Sequence, residues 1–204
     1  MKTSDHGRLI SELGGGGDDA EVLARLHSRL ERAAEEALLL DVAYHTLDTP
    51  LGPLLLATTP IGLVRIAYAS EGHDTVLSSL AHKISPRVLR APGRLSTAAR
   101  EIDEYFAGTR TQFDLPLDLR FLGGFRLQVL DHLREIAYGQ RESYAAVASA
   151  IGNPKAVRAV GSACARNPLP LVIPCHRVVR TDGTIGQYIG GTEAKNTLLT
   201  LEAA

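Results

Sequence analysis

The sequence predicts an α+β protein. A small N-terminal domain over residues 41–119 combines a three-stranded antiparallel sheet with helices, and a mostly helical C-terminal domain over 120–204 contains a helix-turn-helix. Three observations carry this reading. Residues 41–69 set β-rich runs between turn signals. Residues 72–84 and 96–107 repeat apolar side chains at helical spacing. Residues 143–165 place two short helical patterns on either side of Gly152-Asn153-Pro154. With 204 residues, 45% of them apolar, the chain can bury a sizeable core.

Taken in order, residues 1–17 end in the run Gly14 to Gly17, which cannot pack and reads as a flexible start. Within 18–40, Leu23, Leu26, Leu30, Ala33, Ala37 and Leu40 recur every three or four positions after a capping Asp18 or Asp19. That spacing predicts an extra amphipathic helix over about 19–39, its stripe turned to the next domain or to a partner. Asp48-Thr49-Pro50-Leu51-Gly52 and Thr59-Pro60-Ile61-Gly62 divide 41–69 into three strands. Gly108 ends the second of the two helices that follow. Asp114 to Leu119 is extended and contains a proline, and the domain boundary falls there. Phe125 to Ala137 forms a helix with Leu127, Leu130, Leu133 and Ile136 inward, closed by Gly139. Ser143 caps a helix running to Ala150, and Pro154, as first helical residue, opens another running to Ala165.

Charge separates the halves. The whole chain carries a formal net charge of −1, yet residues 120–204 hold 10 Lys+Arg against 6 Asp+Glu, so an electrostatic partner surface belongs to the C-terminal half. No apolar run approaches the ~20 residues of a membrane span, and Met1 to Gly17 lacks the core of a secretion signal, so a cytoplasmic location without membrane attachment is expected. The two cysteines, Cys164 and Cys175, are expected to be free thiols, and they exclude a Cys-rich metal centre. His6, His27, His45, His73 and His82 have no cysteine near them, which leaves no Cys/His metal site, and no cofactor is expected.

The chemistry-bearing residues cluster late in the chain. The second short helix carries Lys155, Arg158 and Arg166 without an acidic residue, while Ala159, Gly161, Ser162 and Ala163 keep its surface small, which suits close approach to a phosphate backbone. After Asn167-Pro168-Leu169-Pro170 and an apolar run comes Pro174-Cys175-His176-Arg177-Val178-Val179. The prolines impose a rigid, non-helical path that presents Cys175 in a fixed direction. A nearby imidazole and cation lower a thiol pKa, and His176 and Arg177 are the nearest candidates. Neighbours on an extended chain face opposite sides, so a Cys175–His176 proton path calls for a bridging water. The pair alone fits an ordinary buried cysteine and core histidine as well.

In combination, Arg158-Ala159-Val160-Gly161, Asn167-Pro168, Ile173 to Val178, Gly186, Tyr188, Gly190-Gly191, Lys195, Leu198-Leu199 and Glu202 closely resemble the O6-alkylguanine-DNA alkyltransferase family. The similarity runs through about 120–202 and, less distinctively, 41–119; residues 1–40 lie outside it. The resemblance implies a ribonuclease-H-like N-terminal domain and a suicide DNA repair protein. Cys175 would take the alkyl group irreversibly from O6-alkylguanine in double-stranded DNA, with O4-alkylthymine left open. His176, through water, would accept the thiol proton; Glu202 would hold the imidazole and Asn167 the hinge behind Cys175. The helix-turn-helix would enter the minor groove through Lys155, Arg158, Ala159, Gly161 and Arg166, with Arg158 filling the gap left by the flipped base. Tyr144 would help rotate the nucleotide, while the Val178 carbonyl, Tyr188 and Ile189 would wall the guanine pocket. A monomer is implied, cooperative assembly on DNA being left open.

The chain departs from the family at Ile189, a serine in some members, and at Arg126 and Leu130, where many carry Gln and Trp. Two other classes share parts of the pattern. A Cys/His hydrolase would turn over repeatedly on an ester or amide, whereas an alkyltransferase saturates after one equivalent. A helix-turn-helix protein that binds the lesion without transfer would not need Cys175.

Overall fold

The computed structural model describes residues 16–203 and divides after Leu40 into two compact units. The expected flexible start lies almost wholly outside the described residues. In the first unit, α1 (Gly16–Glu36) begins three residues earlier and ends three earlier than its periodicity suggested. Leu38, in the left-handed region at φ 53°, ends it, and the amide of Leu39 closes back on the Ala34 carbonyl at 2.8 Å. Its apolar residues Val22, Leu23, Leu26 and Leu30 are exposed.

The second unit is built on a sheet of β1 (Val42–Leu47), β2 (Leu54–Thr58), β3 (Leu63–Tyr68) and β4 (Val88–Arg90), in the order β3-β2-β1-β4. The first three are the expected antiparallel meander. The fourth corrects the three-stranded reading: β4 pairs parallel with β1, Val42 facing Val88. Three residues between Pro86 and Pro92 are too few to show a period of two. Helices α2 (His73–Lys83) and α3 (Ser96–Phe106) fall within a residue of their expected bounds.

β2 is buried along its whole length because the sheet is covered on both faces. Leu55 and Ala57 pack with Val64, Val76 and Leu80 under α2. On the other face Leu54 and Leu56 join Ile66, Ile102 and Tyr105 in one cluster with Val129, Leu133, Val160, Ile173 and Leu198 from the C-terminal half. An uninterrupted Leu-Leu-Leu-Ala run is what a two-sided strand needs. The 114–119 segment runs beside β3, where Leu63 donates to the Pro116 carbonyl at 2.8 Å; a Cβ on Gly62 would lie 2.2 Å from that carbonyl. Further along β3, Ile66 donates to the Pro168 carbonyl at 2.8 Å, tying the sheet to the segment before Cys175.

The C-terminal helices are α4 (Gly124–Leu133), α5 (Tyr144–Ala150), α6 (Val157–Ala165) and α7 (Gly191–Leu201). Ser143 caps α5 as its sequence suggests, its Oγ accepting from the Ala146 amide at 3.0 Å. Two boundaries are corrected. α4 stops at Leu133, four residues short of Ala137, and Pro154 lies in the turn rather than in α6, which starts at Val157. A further parallel pair, β5 (Glu142–Ser143) with β6 (Val178–Val179), joins the start of α5 to the end of the Pro-Cys-His-Arg segment. Among the described residues no helix is long and apolar enough to cross a membrane.

Candidate active site

Cys175 opens a single 3₁₀ turn, Cys175–Arg177, between Pro174 and β6, so the path expected to be extended is helical for three residues. Pro174 lacks an amide hydrogen and precedes the turn without interrupting it. Asn167, fully buried, ties the segment together. Its Nδ2 donates to the Ile173 carbonyl at 2.8 Å and to Cys175 Sγ at 3.2 Å, while its Oδ1 accepts from the Leu169 amide at 3.0 Å. Between these contacts Leu171 is held at φ 74°, a left-handed conformation that an L residue adopts only when its surroundings impose it.

The thiol is 2% exposed. Burial pushes its pKa up to about 11, and the Asn167 hydrogen bond and the Lys195 ammonium offset only part of this. The sequence suggested the opposite direction, with Arg177 as the nearby cation. Arg177 instead turns to Glu202, its Nε 2.9 Å from Oε2 and its Nη2 2.9 Å from Oε1, while its Nη1 donates to the Ile136 carbonyl. Glu202 Oε1 also accepts from Tyr105 Oη at 2.6 Å and lies 2.8 Å from His176 Nε2. Gly139 donates its amide to Oε2 at 3.3 Å. Burial alone would raise the Glu202 carboxyl; the hydrogen bonds from His176 and Arg177 outweigh it and hold the pKa at about 2. Burial also lowers the His176 pKa despite that carboxylate, so the imidazole is neutral at pH 7. His176 Nδ1 is buried and has no hydrogen-bond partner among the described residues.

The walls converge on the same place. Tyr144, first residue of α5, puts its hydroxyl where a Cβ on Gly186 would stand, 2.6 Å away, and burial pushes its pKa up to about 12. The Val178 carbonyl accepts from Lys195 Nζ at 2.5 Å; Lys195 is fully buried, its Nζ 5.8 Å from the centre of the Tyr144 ring. Tyr188 sets its ring edge-to-face with His176, the centroids 6.2 Å apart. Its neighbour Ile189 lines an adjoining cleft.

Cys175, His176, Glu202, Asn167, Val178, Tyr144 and Tyr188 thus share one site. Lys155, Arg158, Ala159 and Arg166 stand exposed along α6 and its flanks, with Gly161 half-buried; Val160, Ala163 and Cys164 face the core. Tyr105, Tyr68 and the anchoring role of Arg177 escaped sequence reasoning. The two tyrosines sit on apolar stripes and read as core residues, with no signal that a hydroxyl would be used. Among the described residues no three His, Cys, Asp or Glu side chains converge to hold a metal.

A buried cysteine, a carboxylate-held histidine and a helix-turn-helix with an uncompensated basic face define a DNA-directed protein that reacts through a thiol. Residues 42–119 match the family described as 6-O-methylguanine DNA methyltransferase, ribonuclease-like domain, and residues 124–204 match the DNA binding domain of the same name. The chain is 40% identical over 164 residues to the constitutive methylated-DNA--protein-cysteine methyltransferase of Bacillus subtilis, covering 78% of this chain and 94% of the relative. It is 38% identical over 173 residues to the Mycobacterium tuberculosis methylated-DNA--protein-cysteine methyltransferase, covering 79% and 92%. The crystal structure of Mycobacterium tuberculosis OGT in complex with DNA superposes with a TM-score of 0.68 at 37% identity, over 79% of this chain and 92% of that one. The chain belongs to the 6-O-methylguanine DNA methyltransferase family. Its activity is that of a methylated-DNA--protein-cysteine methyltransferase, a DNA-binding enzyme of direct-reversal repair.

Proposed function

We propose that Cys175 is the acceptor, taking one alkyl group per chain from O6-alkylguanine in duplex DNA. The observation that carries this assignment is the two-sided environment of His176. Glu202 is ionised and can only accept, so the 2.8 Å contact to Nε2 makes that nitrogen the N–H of the neutral ring. The lone pair is then on Nδ1, the buried nitrogen without a protein partner. A thiol with its pKa near 11 is not ionised at neutral pH, so it needs such a base at the moment of attack. The thiol proton passes to Nδ1 through a water. Sulfur then forms a bond to the alkyl carbon, and the bond from that carbon to O6 breaks. Guanine leaves with the electron pair, which the displaced proton neutralises. The product is a thioether, and nothing regenerates the thiol.

A thiol 2% exposed cannot reach a base inside a stack, so the lesion turns out of the duplex to meet it. Arg158, exposed on α6, fills the vacated place as α6 lies in the minor groove, with Lys155, Ala159, Gly161 and Arg166 along the backbone. Tyr144 and the second lone pair of the Val178 carbonyl receive the guanine edge, and Tyr188 and Ile189 close its far side. One chain supplies every group named, so a monomer suffices.

Intact-protein mass after incubation with a duplex containing one O6-methylguanine tests the assignment. The expected result is a single methyl gain, mapped to Cys175 and saturating at one per chain. Binding without a mass gain would place the chain among lesion-recognition proteins instead.

A further inference from the structure

Beside the active-site loop a cleft of about 550 Å³ opens between β3 and α2 on one side and α4 and the C-terminal end of α6 on the other. Its charged lining is one-sided: Arg65, Lys83, Arg126 and Arg166 against Glu71 alone. Glu71 is already engaged, paired with Arg65 and accepting from the Tyr68 amide at 3.0 Å. Lys83, Arg126 and Arg166 have no ion pair or side-chain hydrogen bond among the described residues. Arg126 is the telling member, because its Nε is buried from solvent and donates to nothing. A charged N–H buried without an acceptor is costly unless a ligand supplies one. Burial and the facing Arg166 both press on the Arg126 charge, so the cleft sets two cations together while its one carboxylate, Glu71, is committed to Arg65. Val64, Val76 and Leu80 floor it with apolar surface, which strengthens any charge contact made above them.

Resting on the DNA reading above, we propose that this cleft binds a phosphodiester of the duplex whose damaged base enters the Cys175 pocket. It would be an anchor contributed partly by the N-terminal sheet and separate from the helix-turn-helix. A guanidinium fork matches two phosphate oxygens. Position supports the same occupant. Arg166 follows directly on α6, a helix of nine residues and therefore about 13 Å long, with Arg158 near its other end. A backbone tracking that helix reaches the cleft within a few nucleotides. Ile189 belongs to both the cleft wall and the loop beside Cys175, so the strand is held next to where its base must be received.

The test compares the wild type with Arg126→Gln and with Lys83→Gln, an exposed residue of the same cleft whose substitution leaves folding undisturbed. Affinity for an unmodified duplex is measured across a series of salt concentrations, and alkyl transfer is timed on duplex and on free O6-benzylguanine. Each variant is expected to bind duplex several-fold more weakly and to flatten the slope of log K against log salt by about one. The ratio of duplex to free-base rate is expected to fall. Wild-type affinity and slope in both variants would overturn the proposal. So would a stabilisation by inorganic phosphate that Arg126→Gln abolishes while duplex binding is untouched, which would make the cleft a site for a small free anion. Failure of the underlying DNA reading would look different: the wild type itself would bind duplex without any salt dependence.

Discussion

The hydroxyl of Tyr68, at the end of β3, lies 3.0 Å from the hydroxyl of Tyr188, on the loop that walls the Cys175 pocket. The two rings meet edge to face with centroids 5.8 Å apart. Tyr68 also occupies the space beside Gly190, where an added Cβ would lie 2.6 Å from its ring. A residue of the N-terminal sheet therefore sets the position of a loop of the C-terminal half.

Gly190→Ala is accordingly expected to slow alkyl transfer from free O6-benzylguanine by tenfold or more, because the ring and the loop cannot both keep their places. The clash has a named partner, so Tyr68→Ala should restore part of the loss in the double variant. Equal rates for Gly190→Ala with and without Tyr68→Ala would show that the glycine serves something other than this packing. Tyr68→Phe, which keeps the ring and removes the hydroxyl, is expected to cost only about 1 kcal/mol of stability.

Glu202 makes stability depend on acid. Its carboxyl, ordinarily near 4.5, is held at about 2, so the stabilisation is complete above the ordinary value and is lost as pH falls through the range from there to about 2. A displacement of this size corresponds to about 3 kcal/mol. Glu202→Gln is expected to unfold more readily than the wild type near neutral pH, since Arg177 is left buried beside an uncharged amide. Urea midpoints for the two proteins should converge on acidification below about pH 4.5. A gap that stays constant down to pH 2.5 would mean that the carboxylate charge does not hold the network.

The rate of transfer carries its own pH signature. Burial lowers the His176 pKa below 6.5, so the imidazole remains a base under mildly acidic conditions and the acid limb of the rate profile lies below that value. At the other end the thiol ionises only near 11, so between the two the pair of protonated thiol and neutral imidazole is constant: the rate should be flat through neutrality and climb only toward alkaline pH. Single-turnover rates on free O6-benzylguanine from about pH 5 to 9.5 check both. An acid limb centred above 6.5, or a thiolate titrating near 7, would assign the proton transfer to other groups.

These features differ in how plainly the sequence announces them. The helix pair was legible because its signals are local: Ser143 caps, Gly152-Asn153-Pro154 turns, and both act within a few residues. The proposed acceptor was legible as a string, Pro174 to Val178, whose constraint is also local. Arg177 was read as a companion of the thiol, but its partner is 25 positions away in sequence, and no spacing rule links it to Glu202. Glu202 itself reads as a solvated charge until α7 carries it into the core. Tyr105 and Tyr68 were hidden for a different reason: hydrophobic periodicity records the ring and is silent on the hydroxyl.

Lys195 brings several of these strands together. An ammonium with no exposure, donating at 2.5 Å to the Val178 carbonyl and set over the Tyr144 ring, is expensive to bury, and burial pushes its pKa down. Two neighbours link it to the site: it fixes the Val178 carbonyl, proposed above to meet the guanine edge, and its charge draws the Cys175 pKa down against burial. Lys195→Met keeps an unbranched apolar stem, one atom shorter, while removing both effects. It is expected to slow transfer at least tenfold and to raise the thiol pKa above 11, with affinity for an undamaged duplex unchanged because Lys195 does not reach the surface of α6. Lys195→Arg keeps the charge but must fit a broad planar fork where a compact ammonium sits, so it should not restore the rate. A rate equal to wild type in Lys195→Met, with the thiol titrating where it did before, would reduce the lysine to a packing role.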